Sequence, residues 1–187
     1  MRIVGGTLSG RKIEPPLSRV TRPMMDRVRE SLFNVLAHRE WGDDIGELFG
    51  EHTNVLDAFC GTGALAFEAL SWGAGQAFLF DKDRQALTIA TQNAISLSLK
   101  GRCTIQMGDA LAPVRATKPC QLAFFAPPYR KGLITPAYAA FDKAGWIAPH
   151  AVIVAETARK EEFTAPEGLT LVLQRFYGDT GLHFLMR

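Results

Sequence analysis

Residues 55–70 have the sequence VLDAFCGTGALAFEAL, and this stretch decides the fold. An apolar run ends at Asp57, two glycines follow at Gly61 and Gly63, and a run rich in alanine and leucine begins directly after them. Glycine permits the positive φ angles of a tight turn, and the first apolar run has the length of a buried strand. The pattern therefore predicts a β-strand, a tight turn and an α-helix, in that order.

The chain beyond this stretch keeps alternating between strand and helix patterns. Short apolar runs that predict strands are QAFLFD, CTIQM, QLAFFA and HAVIVAE, and helical patterns lie at 84–100 and 135–144. Two last apolar runs, at 169–177 and 182–187, flank the turn sequence GDTG and predict a hairpin. We therefore expect an α/β fold, a doubly wound Rossmann-like parallel sheet with a terminal antiparallel hairpin.

The residues before this alternating region predict a small extension. The first 20 residues have the pattern of a short hairpin that ends at a proline pair, and residues 21–40 have apolar side chains at helical spacing. Either Thr21 or Asp26 is placed to cap that helix. We therefore divide the chain into an N-terminal extension over residues 1–40 and a main α/β domain over residues 41–187.

Positive charge is concentrated in the extension. The chain has a net charge of +2, but residues 1–29 alone carry +5 and the remainder carries −3. A basic segment on a neutral-to-acidic body favours an anionic partner that contacts one end of the protein, and a solvated charged segment without a partner is the alternative. Arg29 is expected on the exposed face of the predicted helix. The residues expected to contact phosphates are Arg11, Lys12, Arg22 and Arg27.

Composition excludes several classes of protein. With 47% apolar and 21% charged residues, the chain resembles a globular protein and not a disordered one. No apolar run approaches the ~20 residues of a membrane helix, and the N-terminus lacks the apolar core of a secretory signal, so we expect a cytoplasmic protein. Cys60, Cys103 and Cys120 are far apart and form no metal-ligand motif, so we expect reduced thiols and no metal site.

The side chains after the predicted strands indicate what the sheet binds, because ligands of such sheets lie at the carboxyl ends of the strands. Asp57 precedes the glycines of the first turn. Its carboxylate would repel the pyrophosphate of a dinucleotide and attract a cation, such as the amino group or the sulfonium of S-adenosylmethionine. We therefore expect S-adenosylmethionine as the cofactor. The alternatives are a nicotinamide-dependent oxidoreductase and a tight turn without a ligand.

Acidic residues after the second and third strands fit the same cofactor. Asp81 lies 18 residues after Gly63, where a carboxylate accepts hydrogen bonds from ribose hydroxyls. Asp109 follows the third strand and is placed to accept from the adenine amine, or else to cap a helix. The residues expected at the cofactor are Asp57, Phe59, Gly61, Gly63, Asp81, Lys82, Asp109 and Ala110.

The sequence FFAPPYRKG, residues 124–132, follows the fourth strand and predicts a rigid loop. Pro127 and Pro128 restrict its backbone, and Tyr129 then places an aromatic ring at the mouth of the site. Stacking of a base on such a ring contributes about 1–3 kcal/mol. A rigid backbone carbonyl beside an aromatic ring suits a planar base with an exocyclic amine, and a proline-rich turn with a packed tyrosine is the structural alternative.

Together these motifs resemble those of class I S-adenosylmethionine-dependent methyltransferases that modify exocyclic amines. The N-terminal MRIVGG and GRK, the segment TRPMMDRVRESLFNVL and the C-terminal FYGDTGLHF narrow the resemblance to the RsmD-like family, and it covers nearly the whole chain. The resemblance implies methyl transfer to N2 of a guanine in 16S ribosomal RNA, either free or in a ribosomal assembly intermediate. It also implies a catalytic loop formed by Ala126, Pro127, Pro128 and Tyr129, with no metal.

The chain departs from this family at one catalytic position. The family's loop begins with Asp or Asn, whose side chain accepts a hydrogen bond from the target amine, whereas this chain has Ala126. Loss of one such partner costs on the order of 10²–10³ in rate, so Ala126→Asp should raise the rate by a similar factor. Three possibilities stay open: a slow native enzyme, a non-catalytic protein that binds RNA and cofactor, and an engineered inactive variant.

Overall fold

Seven strands form a single mixed sheet in the computed structural model, which describes residues 1–16, 24–42 and 46–187. The strands are β1 (Asn54–Asp57), β2 (Gln76–Asp81), β3 (Cys103–Met107), β4 (Cys120–Phe125), β5 (Ile147–Ala158), β6 (Thr170–Tyr177) and β7 (Thr180–Met186). The α-helices are α1 (Asp26–His38), α2 (Ala64–Ser71), α3 (Arg84–Ser96) and α4 (Ile134–Lys143).

The strand order confirms the predicted doubly wound architecture. The order is β3-β2-β1-β4-β5-β7-β6, in which the first five strands are parallel and β7 pairs antiparallel with both of its neighbours. The order reverses between β1 and β4, so the carboxyl ends of these two strands open a crevice. β6 and β7 form the predicted terminal hairpin, but the turn between them is only Gly178 and Asp179, because Thr180 and Gly181 already belong to β7.

Two apolar clusters cover the two faces of the sheet. The first contains Leu32 of α1, Phe67 of α2 and Leu87 of α3, and the second contains Phe141 of α4. Strand residues alternate between them: Phe124 belongs to the first cluster and Phe125 to the second. This alternation fixes which face each side chain takes at the ends of β4 and β5.

The N-terminal segment folds back on itself as predicted, but without regular strands. Arg2 and Lys12 form a single antiparallel bridge, and a 3-10 turn over Gly6–Leu8 replaces the strands between them. The two halves are joined by backbone hydrogen bonds such as that from the Ile3 amide to the Arg11 carbonyl at 2.8 Å, while the tip bonds to α2, where the amide of Leu8 donates to Ser71 Oγ at 2.9 Å. The division of the chain at residue 40 stays a prediction, although Ile3 lies in the first cluster together with the core of the sheet.

Helix α1 differs from its prediction at two side chains. Asp26 is the first residue of the helix and not its cap, and Met25 occupies the cap position without a side-chain hydrogen bond. Arg29, expected on the exposed face, is fully buried and pairs with the buried Glu68 at 3.2 Å and with Asp26 at 2.8 Å. A buried guanidinium needs such partners, and α2 supplies the principal one. The other predicted cap, Thr21, lies outside the described residues.

Two other helices end close to their predicted limits. Asp83 caps α3 by accepting a hydrogen bond from the amide of Gln85 at 2.8 Å, as predicted. The helix ends at Ser96 and not at residue 100, because Ser98 has a φ of 62°. Helix α4 extends over residues 134–143, within one residue of the predicted range.

The described part of the chain contains no helix that is long and apolar enough to cross a membrane. Within the same residues, no group of three or more metal-ligating side chains is found. The cysteines are free thiols, and burial raises the pKa of Cys103 to about 12 and that of Cys60 well above its ordinary value. Neither thiol is therefore available as a thiolate nucleophile near neutral pH.

Candidate active site

The turn after β1 depends on two glycines with left-handed backbone angles. Gly61 has a φ of 51° and Gly63 a φ of 84°, which other residues adopt only with strain. At Gly63 a methyl group would also overlap the ring of Phe67 in α2. Helix α2 begins at Ala64 without a side-chain hydrogen bond from its N-cap residue, and the amides of Ala66 and Phe59 face the carboxylate of Asp57.

Asp57 is the most perturbed polar side chain of this turn. It ends β1, it is 1% exposed, and neither of its carboxylate oxygens has a hydrogen bond of normal geometry to the described residues. Burial raises the pKa of Asp57 to about 7; the amides of Ala66 and Phe59 oppose the rise and the negative charge of Asp81 adds to it. A buried carboxylate without a counter-charge is expected where a cationic ligand completes the site.

Asp81 connects the end of β2 to the glycine turn. Its Oδ2 accepts a hydrogen bond from the amide of Gly61 at 2.8 Å, and its Oδ1 accepts from the amide of Asp83 at 2.9 Å. A carboxylate has about four acceptor sites, so these two bonds leave capacity for ribose hydroxyls. The structure thus brings Asp57, Asp81 and the glycine turn together, and their roles towards a cofactor stay predictions.

The remaining predicted cofactor residues are less distinctive. Lys82 is exposed, Phe59 is half-buried, and Ala110 lies in the second apolar cluster. Asp109 is exposed two residues beyond Met107, the partner of Asp81 in the sheet, and its Oδ1 accepts from the amide of Leu111 at 2.9 Å. Asp109 therefore caps a local turn while lying at the same edge of the sheet as Asp81.

The proline loop begins beside the glycine turn. In the sheet, Asp57 pairs with Phe124, so Ala126 lies two residues beyond the strand position next to Asp57. Ala126 is half-buried against the first cluster, Pro127 is buried and Pro128 is exposed. The loop therefore places the predicted catalytic residues at the switch point between β1 and β4.

Tyr129 of this loop is fixed by β5 and β7. Its hydroxyl donates a short hydrogen bond to Glu156 Oε1 and lies 3.1 Å from Thr180 Oγ1. The next residue is also held, because the amide of Arg130 donates to Glu161 at 3.1 Å. The ring of Tyr129 is consequently held in one position, and its role towards a base stays a prediction.

A cavity of about 230 Å³ opens between this loop and the end of β5. Pro127, Pro128 and Tyr129 line one side, and Glu156 and Phe163 line another. The sequence analysis did not identify Glu156 or Phe163 as site residues. Glu156 ends the apolar run HAVIVAE, in the same way as Asp57 and Asp81 end theirs, so the signal that indicated those two acids was present here too.

Of the residues predicted to contact RNA, those that the structure describes are exposed on the N-terminal segment and on α1. Arg11 and Lys12 are exposed, and the Arg11 guanidinium donates to the carbonyl of Ser96 at the end of α3. Arg27 is exposed on α1, whereas Arg22 lies outside the described residues. Their contact with RNA stays a prediction.

One buried side chain connects the basic segment to the glycine turn. Asn93 of α3 accepts from the amide of Glu14 at 2.7 Å and donates to the carbonyl of Thr62 at 3.1 Å. The segment that carries Arg11 and Lys12 is therefore connected, through Glu14 and Asn93, to the glycine turn of the candidate site. Nothing in the local sequence around Asn93 distinguishes this asparagine from a helix-surface residue.

Comparisons with known proteins agree with this architecture. The family model described as Conserved hypothetical protein 95 matches residues 1–186. Ribosomal RNA small subunit methyltransferase D of Escherichia coli (strain K12) is 30% identical over 188 residues, which span 100% of this chain and 90% of that protein. The solved structure of yhhF from Escherichia coli superposes with a TM-score of 0.80 at 30% identity, covering 100% of this chain and 97% of that one.

A more distant solved structure shows the fold alone. It is an RNA methyltransferase from Salinibacter ruber in complex with S-adenosyl-L-homocysteine, similar with a TM-score of 0.64 at 10% identity. The similarity covers 88% of this chain and 93% of that one. The doubly wound sheet described above is therefore the class I methyltransferase fold.

Proposed function

This chain belongs to the family described as Conserved hypothetical protein 95, and from that premise we propose that it transfers a methyl group from S-adenosylmethionine to N2 of a guanine in small-subunit ribosomal RNA. The observation that carries the proposal is the buried carboxylate of Asp57 at the switch point of a class I methyltransferase fold, which has no cationic partner among the described residues. The full-length similarity to ribosomal RNA small subunit methyltransferase D of Escherichia coli supports the ribosomal substrate.

The residues at the switch point fit S-adenosylmethionine. A carboxylate buried like that of Asp57 is costly unless it meets a positive charge, and the amino group and the sulfonium of this cofactor both provide one. The pyrophosphate of a dinucleotide would instead add negative charge beside Asp57 and Asp81. Asp81 is assigned to the ribose hydroxyls and Asp109 to the adenine amine, with the backbone of the glycine turn beside the methionine end.

The residues of the protein orient the reactants and stabilise charge. When bound, S-adenosylmethionine supplies an electrophilic methyl group on its sulfonium. Pro127 and Pro128 hold the loop carbonyls towards the target amine, and Tyr129, fixed by Glu156 and Thr180, offers a flat surface for the base. Proximity, orientation and preorganised polar groups account for most of the rate enhancement in such transfers.

The RNA approaches along the basic segment. Arg11 and Lys12 are exposed on the segment that Asn93 connects to the glycine turn, and Arg27 is exposed on α1. Their guanidinium and ammonium groups would contact phosphates, while the cavity beside Tyr129 receives a base turned out of its stack. Unpaired bases are accessible in ribosomal RNA loops, which fits a reaction in the cytoplasm before or during assembly of the small subunit.

Transfer of labelled methyl groups tests the proposal. The protein is incubated with labelled S-adenosylmethionine and either unmodified small-subunit RNA, small-subunit particles carrying that RNA, or large-subunit RNA. We expect label in at least one of the two small-subunit substrates and none in large-subunit RNA. A protein that binds S-adenosylmethionine but labels neither small-subunit substrate would be a binding protein, and preferential binding of NAD in a parallel titration would indicate an oxidoreductase.

A further inference from the structure

Glu156 lies beside the position at which the catalytic loop lacks a polar side chain. In the sheet, Phe125 of β4 pairs with Ala155 of β5, so Ala126 and Glu156 are the next residues of two adjacent parallel strands. Phe125 and Ala155 both point into the second cluster, and side chains alternate along a strand. Ala126 and Glu156 therefore share the opposite face of the sheet, at the end where the target amine is expected.

The carboxylate of Glu156 is held in place and retains acceptor capacity. It is 9% exposed and receives a hydrogen bond from Tyr129, which β7 also contacts through Thr180. A carboxylate accepts about four hydrogen bonds, so the bond from Tyr129 leaves room for donors from a ligand. Burial raises the pKa of Glu156, and the hydrogen bond from Tyr129 opposes that rise.

The cavity beside Glu156 has the features of a site for one planar base. Its volume is about 230 Å³, with the proline loop on one side and Phe163 on another. Phe163 is stacked on His183 with the ring centroids 3.9 Å apart, so its ring is fixed as a flat wall. Glu161 and Glu162 also line the cavity, and this negative charge favours a base edge with donors over a phosphate.

We propose that Glu156 is a catalytic residue, the hydrogen-bond acceptor for the guanine amine in place of the side chain that Ala126 lacks. The inference rests on the proposed function and deepens it. Guanine presents N1–H and N2–H side by side on its Watson–Crick edge, and one carboxylate accepts from both together. Adenine and cytosine each present a single amine beside an acceptor nitrogen, so Glu156 selects guanine as well as orienting N2.

The transfer step balances with the groups present. The lone pair of guanine N2 forms the new N–C bond, and the electron pair of the breaking C–S bond remains on sulfur, which becomes a neutral thioether. The nitrogen then carries an extra positive charge and releases one proton. That proton passes to the carboxylate of Glu156 and from there to solvent through the open side of the cavity, while Ala126 takes no part.

A double-mutant cycle tests this role. Single-turnover methyl transfer at saturating S-adenosylmethionine is measured for the unmodified chain, Glu156→Gln, Ala126→Asp and the double variant. Glutamine still accepts a hydrogen bond from Tyr129 but lacks the charge, so we expect Glu156→Gln to lose about 10²–10³ in rate with unchanged cofactor affinity and unfolding temperature. Ala126→Asp alone should change the rate by less than about tenfold, and in the Glu156→Gln background it should restore most of the loss.

Two further readouts separate a catalytic role from a structural one. The acid limb of the rate–pH profile should disappear in Glu156→Gln, because the group that accepts the proton is gone. Glu167→Gln, a matched change at an exposed glutamate away from the cavity, should leave the rate unchanged.

The outcomes distinguish the inference from the function on which it rests. An active unmodified chain whose rate falls less than about threefold in Glu156→Gln overturns the role of Glu156 and leaves the proposed function standing. If the unmodified chain is nearly inactive and Ala126→Asp accelerates it about 10²–10³-fold, the role of Glu156 is again overturned and the proposed function stands. That result would agree with the expectation from the sequence that an acid at position 126 is required. Inactivity of all four proteins, with S-adenosylmethionine bound, overturns the proposed function and the inference with it.

Discussion

Replacing Asp57 with asparagine should stabilise the unliganded protein at alkaline pH and weaken its affinity for S-adenosylmethionine. Burial raises the pKa of Asp57 to about 7, against an ordinary value of 3.8. The unfolded chain therefore loses this proton at a lower pH than the folded chain does. Between about pH 4 and pH 7 the folded state binds more protons, so its stability falls as the pH rises.

The size of this effect follows from the two pKa values. The difference between pKa values of about 7 and 3.8 lowers the free energy of unfolding by about 4 kcal/mol at pH values above both. Somewhat less than half of this loss is already present near pH 5. Asparagine does not ionise. The free energy of unfolding of Asp57→Asn, minus that of the unmodified chain, should therefore grow by about 2–3 kcal/mol between pH 5 and pH 8, whatever constant packing cost the amide adds.

Urea denaturation of the unliganded proteins near pH 5 and pH 8 measures that difference, and calorimetry measures cofactor affinity. Binding of a cation needs an ionised Asp57, so the affinity of the unmodified chain should rise with pH through about 7, while Asp57→Asn should bind weakly at every pH. Asp83→Asn is the matched control, because Asp83 is exposed and asparagine caps a helix equally well. If the free energy of unfolding changes with pH by the same amount in Asp57→Asn and in the unmodified chain, the reasoning is refuted.

Three further predictions concern other parts of the site and its support. Asp81→Ala should weaken S-adenosylmethionine binding by about 1–3 kcal/mol in calorimetry, and unchanged affinity would remove Asp81 from the site. Glu68→Gln should lower the free energy of unfolding by about 1.5–3 kcal/mol, because it removes the fully buried one of the two carboxylates that pair with Arg29 and leaves only Asp26. Glu51→Gln at an exposed position should change the free energy of unfolding little, and a loss below about 1 kcal/mol in Glu68→Gln would contradict this role. Charge reversal at Arg11 and Lys12 should flatten the salt dependence of RNA binding, whose slope is about −0.7 to −0.9 per neutralised phosphate, and an RNA affinity that is insensitive to salt would contradict the electrostatic model.

The doubly wound sheet was predictable because its signals are local. Each strand from β1 to β5 is an apolar run of strand length, and the glycines after Asp57 mark the turn into α2. The placement of Asp57 and Asp81 at one edge follows from the same rule, since parallel strands bring their carboxyl ends together. Asp57 and Asp81 could therefore be assigned to the site from the order of strands and helices alone, without knowing how side chains pack.

The features that were missed depend on contacts between distant parts of the chain. Arg29 has the helical position of an exposed residue, and its burial depends on the approach of Glu68 from α2, 39 positions away, in addition to the nearby Asp26. The N-terminal hairpin lacks regular strands for a similar reason, because Ser71 of α2 bonds to its backbone at Gly5 and Leu8. Glu156 was missed although it ends an apolar run, because its proximity to Ala126 depends on the register between β4 and β5.

The most direct test of the central claim is the identity of the methylated nucleoside. Small-subunit RNA that lacks the modification is incubated with the protein and isotope-labelled S-adenosylmethionine, then digested to nucleosides and analysed by mass spectrometry. If the methyl group is transferred to the exocyclic amine, all label is found in N2-methylguanosine. The amount of this labelled nucleoside is lower when the Glu156→Gln variant is used. Label in any other nucleoside, or label in N2-methylguanosine that is unchanged by substitutions at both Asp57 and Glu156, would contradict the account.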